Sequence, residues 1–287
     1  MSLLSPQLLA FMAIAQHKTV HAAANEIHLT QTAVTQRIRT LEKHLQTSLF
    51  IRTRRGMLLT PEGEALLRYC LASKELEIGA LAAIQGTGTE TEVELRISAP
   101  TSIMRSRVIP SCLPVISAFP QLLLDFNVDD KEHRHQLLRS GSTDFVIIRE
   151  EHLAREMQYK KLKPEQYVLV GSPKWKNRKL TSIIQQERII DFDPADNMTF
   201  NYLKHHQLLD NAKYSRHFVN RTENLALLVS EGVGYTTLTK EFAQPYIQSK
   251  QLIILNKGKA YDVFPMLAWF DRAEPPAYFK AIIGAIN

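Results

Sequence analysis

The 287-residue sequence predicts an α/β chain led by a small all-α module of winged helix-turn-helix type, whose wing is a basic hairpin. Three observations carry that prediction. Capped, periodic helices fill the first 45 residues, an unbroken helical pattern runs from Thr60-Pro61 to about Ile84, and from residue 92 onward short apolar strands alternate with helices.

Ser5-Pro6 supplies an N-cap and first turn, and Leu8, Leu9, Met12 and Ala15 give the first helix its apolar stripe. Thr19 caps a short second helix whose Ala22-Ala23-Ala24 lets another helix axis approach closely. Thr30 caps a third, Gln31 to about Leu45, in which Val34, Ile38, Leu41 and Leu45 recur at spacings of four, three and four and face inward. Its first turn and opposite face carry Gln31, Thr32, Thr35, Gln36 and Arg37, side chains able to bond base edges and phosphates in a major groove. Arg52-Thr-Arg-Arg-Gly56 then sets Arg52, Arg54 and Arg55 on a short hairpin suited to a phosphate backbone or a minor groove. Each arginine alone reads as an ordinary surface charge; the ordered combination points to double-stranded DNA. Residues 1–60 hold seven Lys/Arg against two Glu, so most of the chain's net +6 sits in this module.

These residues carry a resemblance. Ala22-Ala23, Leu29-Thr-Gln-Thr-Ala-Val-Thr-Gln36, Ile38, Leu41-Glu42, Leu45, Leu49-Phe50, Arg52, Arg54-Arg55, Leu59-Thr60 and Gly63 resemble the winged helix-turn-helix of LysR-type transcriptional regulators. The resemblance implies dimeric or tetrameric binding to a pseudo-palindromic operator, control by a small molecule, and RNA polymerase as a candidate further partner. Two departures stand out. Thr35 replaces the usual serine and keeps the hydroxyl, and Gln46 stands where the family ends its recognition helix with glycine, without glycine's ease at positive φ.

Leu67, Leu71, Lys74, Ile78 and Leu81 fall at heptad spacing on the long helix, a seam suited to a partner helix; packing on its own domain is the other reading. A glycine-threonine stretch, residues 85–91, follows as a hinge. The expected division is a DNA-binding module over residues 1–60, a linker and dimerisation helix with its hinge over 61–91, and an effector-binding domain over 92–287. Strands are expected at Val93–Ala99, Leu122–Val128, Phe145–Ile148, Tyr167–Val170, Ile189–Phe192, His217–Val219, Tyr235–Leu238, Leu252–Leu255 and Val263–Trp269. Chain crossings near 159–169 and 263–269 suggest two lobes, and the resemblance implies a periplasmic-binding-protein-like cleft of type 2 between them.

Ligands of such sheets sit at the carboxyl ends of strands. Thr101 and Ser102 follow the first strand and open a helix, a place for an effector's carboxylate that ordinary N-capping explains equally well. Asp193 and Asp196 lie in an acidic loop fitted to an ammonium or guanidinium group, Arg149 ends another strand and can take an anion, and Thr222 opens a helix as its N-cap. Ala33-Val-Thr-Gln-Arg-Ile38, Ile190-Asp-Phe-Asp-Pro-Ala-Asp-Asn-Met198, His217-Phe-Val-Asn220 and Leu267-Ala-Trp-Phe270 also resemble the lysine/arginine-responsive export regulators, the ArgP/LysG group, which implies lysine or arginine as effector.

No hydrolase elbow, dinucleotide or phosphate loop or metalloprotease motif occurs, and Cys70 and Cys112 stand far apart, so neither catalysis, a bound cofactor nor a metal is expected. A secretory signal and an apolar run of ~18 residues are both missing, which predicts a cytoplasmic protein that does not enter membranes. The alternative, a solute-binding or metabolic protein with an α/β ligand domain, leaves the DNA module unexplained.

Overall fold

In the computed structural model the description covers residues 3–54, 56–85, 92–130, 134–272 and 274–287, with the side chains of 75, 78, 79 and 81–85 outside it. The N-terminal module is α1 (Pro6–His17), α2 (Val20–Glu26) and α3 (Gln31–Leu45), followed by the hairpin β1 (Phe50–Thr53) and β2 (Gly56–Leu59). Each helix begins where a hydroxyl can satisfy a free N–H: Ser5 Oγ accepts from Leu8 N, Thr19 from Ala22 N and Thr30 from Ala33 N. Phe11, Ile14, Ala23, Ala24, Val34, Ile38, Leu41 and Leu49 form the module's core. Leu45, expected to close the inward stripe, is 42% exposed because α3 ends there.

Gln46 ends α3 in the left-handed region at φ 53°, and the N–H groups of Gln46 and Thr47 both reach back to the Glu42 carbonyl. The bend therefore forms without glycine, at the cost of a strained φ. Glu42 also receives Leu49 N on its carboxylate at 2.8 Å, which fixes the start of the wing. Gly56, at φ +117°, could not be anything larger: a Cβ there would stand 2.4 Å from the Lys18 carbonyl, which accepts the neighbouring Met57 N–H at 2.7 Å.

Helix α4 (Pro61–Gln85) leads to two α/β lobes. The first holds β3 (Val93–Ala99), a long helix with one π turn (α5, Thr101–Ile103; Met104–Val108; α6, Ile109–Ala118), β4 (Leu122–Val128), α7 (His135–Arg139), β5 (Phe145–Ile148) and β6 (Met157–Lys161). The second contains β7 (Glu165–Gly171), α8 (Leu180–Gln186), β8 (Arg188–Asp191), α9 (Met198–His205), β9 (Arg216–Phe218), α10 (Thr222–Ser230), β10 (Gly234–Thr239), α11 (Lys240–Gln248), β11 (Ile253–Ile254) and β12 (Ala260–Val263). The chain then returns to the first lobe as β13 (Met266–Phe270) and α12 (Ala277–Ala285). Strand order is β4-β3-β5-β13-β6 in the first sheet and β11-β7-β10-β8-β9 in the second, with β12 also on β7.

The run expected as one strand over 263–269 is two. Phe264-Pro265 breaks it, and β12 and β13 belong to different sheets. β6, α8 and α11 were not anticipated; β6 alternates Tyr with Lys and Gln at a sheet edge, too polar to stand out. The thiols of Cys70 and Cys112 lie in separate cores, and burial pushes each up to about 11, so both are protonated.

At the end of β8, Asp191 is 1% exposed and Arg216 of β9 donates to its Oδ2 at 3.0 Å, while also binding the Asp196 and Pro194 carbonyls. Burial pushes the Asp191 carboxyl up to about 6, against the pull of Arg216. The folded chain thus keeps a proton that an unfolded aspartate releases near pH ~4, so this group's contribution falls as pH rises from about 4 to about 6, by roughly 2–3 kcal/mol. Unfolding free energies measured across that range should show Asp191→Asn gaining on the wild type by this amount; a constant difference would refute the shift. Gln46→Gly should raise the stability of the N-terminal module by about 1 kcal/mol, read from its urea midpoint, because it relieves the left-handed strain.

Candidate nucleic-acid interface and ligand cleft

Helix α3 presents Gln31, Thr32 and Gln36 to solvent, with Thr35 and Arg37 half-buried beside them. Gln31 Nε2 lies 3.1 Å from His21 Nδ1 of α2, so α2 steadies the first side chain of α3. Arg37 leans back and donates to the Pro6 carbonyl at 3.4 Å, a long exposed bond that orients α1 against α3. On the hairpin, Arg52 and Arg54 are exposed and Thr53 Oγ1 closes the turn onto the Gly56 carbonyl at 2.9 Å; Arg55 lies outside the described residues. Because β2 is docked on Lys18 between α1 and α2, the arginine tip and α3 are held by one rigid core. His21 was missed in the sequence because nothing in its spacing separates it from a surface histidine.

Of the seam expected along α4, Leu67 and Leu71 pack inward, and Lys74 is exposed. Leu67 is 5% exposed in the core of the N-terminal module, and Leu71 packs against Gly141 of the first lobe; Ile78 and Leu81 have side chains outside the described set. Burial of Leu67 and Cys70 against α1 chose the rotation of the helix. Among the described side chains of the helix, Ala65, Tyr69, Ala72, Leu76 and Ala80 are apolar and exposed, at spacings of four, three, four and four, with Tyr69 60% and Leu76 63% exposed. Arg68 lies over the Phe270 ring at 4.7 Å, tying α4 to the first lobe.

Between the lobes lies a cleft with a cavity volume of about 170 Å³. Of the expected residues, Ser102, Arg149, Asp193, Asp196 and Thr222 line it, at the carboxyl ends of strands or the starts of helices. Thr101 does not. Its N–H and its hydroxyl both donate to Asp130, each at 2.7 Å, so an internal carboxylate already holds the helix start. Ser102 Oγ likewise donates to Glu165 at 2.9 Å. In this structure each of the two hydroxyls engages a carboxylate of the chain. Thr222 is not an N-cap either; it is the first residue of α10, Arg221 precedes it as cap, and no side-chain cap bond forms.

The acidic loop is self-capped. Asp193 Oδ1 accepts from Ala195 N at 2.7 Å and Asp196 N at 2.9 Å, while Asp196 accepts from Phe192 N and Met198 N at 3.1 and 2.8 Å. Arg149 reaches Glu151 at 3.7 Å, a loose surface pairing beside the cleft. Arg134, 7% exposed, donates to the Ile147 and Asp129 carbonyls, and burial lowers its pKa against the opposing pull of Asp129 and Asp130. The cleft thus gathers four carboxylates, Asp130, Glu165, Asp193 and Asp196, against Arg134 and Arg149. Asp130 was missed although it lies two residues past the end of β4, where the argument that picked Arg149 also applies. Glu165 carried no signal, since its place on a crossing is set by the tertiary fold.

Among the described residues no group of three metal-ligating side chains occurs, and no helix is long and apolar enough to cross a membrane. Residues 6–64 match the bacterial regulatory helix-turn-helix proteins of the lysR family, and residues 88–286 match the LysR substrate binding domain. The transcriptional regulator ArgP of Aeromonas salmonicida is 23% identical over 91% of this chain and 88% of its own. LysG of Mycobacterium tuberculosis is 31% identical over 47% of this chain and 43% of its own. Two solved structures share the fold: ArgP from Mycobacterium tuberculosis, at a TM-score of 0.81 and 21% identity over 98% of this chain and 96% of that one, and full-length LysG from Corynebacterium glutamicum with bound effector Arg, at 0.74 and 19% over 99% and 96%. With an exposed reading helix and basic wing in front, a two-lobed cleft behind, and both halves matched, the chain belongs to the LysR family of DNA-binding transcriptional regulators.

Proposed function

We propose that this regulator binds a pseudo-palindromic operator as a homodimer, or a pair of dimers, and that a basic amino acid in the cleft changes its grip. The observation that carries the effector class is the cleft's excess of carboxylates over arginines, which suits a ligand bearing an extra positive charge. The ArgP relatives and the arginine-bound LysG neighbour support the same class. Arg149, on the cleft wall, is assigned to the ligand's α-carboxylate, which its guanidinium can hold with a two-pronged hydrogen bond.

Gln31, Thr32, Thr35 and Gln36 are assigned to base edges, and Arg52, Arg54 and Arg55 to phosphates. Arg37 is assigned to phosphate once its bond to Pro6 opens. For the dimer seam we assign the outward stripe Tyr69, Ala72 and Leu76 in place of Leu67 and Leu71. Leu113 of α6 and Leu227 of α10, 57% and 59% exposed, offer further apolar area for a second copy.

Arg54→Ala should weaken binding to every DNA sequence and reduce the slope of log affinity against log salt by about 1. Gln31→Ala should instead cost about 1–3 kcal/mol on the preferred site and little on random DNA; equal losses on both would remove Gln31 from the readout. For the effector, thermal unfolding against a panel of amino acids and small carboxylates should show a raised midpoint with lysine or arginine. A panel in which neither shifts the midpoint, while another compound does, contradicts the basic-effector reading.

A further inference from the structure

Glu165 differs from every other acid in the cleft. Asp193 and Asp196 each accept two backbone N–H bonds, and Asp130 takes both the N–H and the hydroxyl of Thr101, so these carboxylates are largely satisfied by the chain. Glu165 is 6% exposed and receives a single hydrogen bond, from Ser102 Oγ to Oε1. Among the described residues no donor to Oε2 is found, and Glu165 lines the cavity.

The neighbouring cations do not fill the gap. Arg107 spends its guanidinium on the Lys163 and Pro164 carbonyls and stands 3.6 Å from Glu241, and Arg134 spends its own on the Ile147 and Asp129 carbonyls. Both soften the field at Glu165 without an ion pair to it, and burial still raises its pKa. A carboxylate so deeply desolvated and without its own cation is costly to keep. It is relieved when a ligand brings a cation into the cavity.

We propose that Glu165, on the cleft wall, receives the cationic group of the effector, an ammonium or guanidinium, through the oxygen that Ser102 does not bind. This rests on the reading of the cleft as a basic amino-acid site and adds its charge-recognising residue. Glu165 is the first residue of β7, immediately after the chain crosses between lobes, and its other oxygen is bonded to Ser102 of the first lobe. The ligand's charge is thereby joined to both lobes at their hinge.

The test is calorimetric titration of the full-length protein with lysine and arginine and with their uncharged counterparts, norleucine and citrulline. The wild type should prefer each charged member, and Glu165→Gln should weaken lysine or arginine on the order of 10- to 100-fold while leaving the counterparts unchanged. Glu165→Asp, which keeps the charge, should retain part of the preference. Unchanged affinity of Glu165→Gln for the charged amino acids overturns the proposal alone. Equal losses for charged and uncharged ligands in both variants mark a packing role and also overturn it. A wild type that binds neither lysine nor arginine overturns the basic-effector reading itself, before any variant is made.

Discussion

The carbonyl oxygens of Lys163 and Pro164 lie between β6 and β7, where the chain passes from one lobe to the other, and Arg107 takes both. Arg107 sits in the π turn of the first lobe's long helix and stands 3.6 Å from Glu241 at the start of α11 in the second. The return crossing is fixed beside it, with Leu162 N donating to the Pro265 carbonyl at 3.0 Å. These partly exposed donors and carbonyls tie the two lobes together where the chain crosses between them.

Around that hinge the chain already engages most of its own carboxylates, with one oxygen of Glu165 the exception. Asp130 occupies the helix start at Thr101, Ser102 holds one oxygen of Glu165, and the aspartates of the second lobe cap their own loop. A site built this way is preorganised, and little of it must be ordered on binding. The path toward DNA is equally concrete. Leu71 and Arg68 of α4 rest on Gly141 and Phe270 of the first lobe, while Leu67 and Cys70 of the same helix are part of the N-terminal core. One helix therefore touches both the domain that meets the ligand and the module that meets DNA.

Much of this was legible in the sequence, for physical reasons that can be named. Hydroxyl caps at Ser5, Thr19, Thr30 and Thr60 mark helix starts because the N–H groups of a first turn need acceptors close in sequence. Buried strands such as Phe145–Ile148 show as unbroken apolar runs. What escaped depends on tertiary contacts. The rotation of α4 was decided by α1, the pairing of Asp130 with Thr101 spans 29 residues, and that of Glu165 with Ser102 spans 63. Hydroxyls at a strand end promise an acceptor without saying whether it comes from a ligand or from the chain.

On the proposed function, ligand and DNA act on one equilibrium. Linkage then requires that a ligand which changes DNA affinity by some factor has its own affinity changed by DNA by the same factor. The most direct test measures the dissociation constant of lysine or arginine for the full-length protein, alone and saturated with a DNA duplex selected by the protein from a random pool, and compares the ratio with the ligand's effect on DNA binding. Two equal factors, both different from one, are the predicted result. A ligand that binds with the same affinity in the presence and absence of DNA would contradict the account.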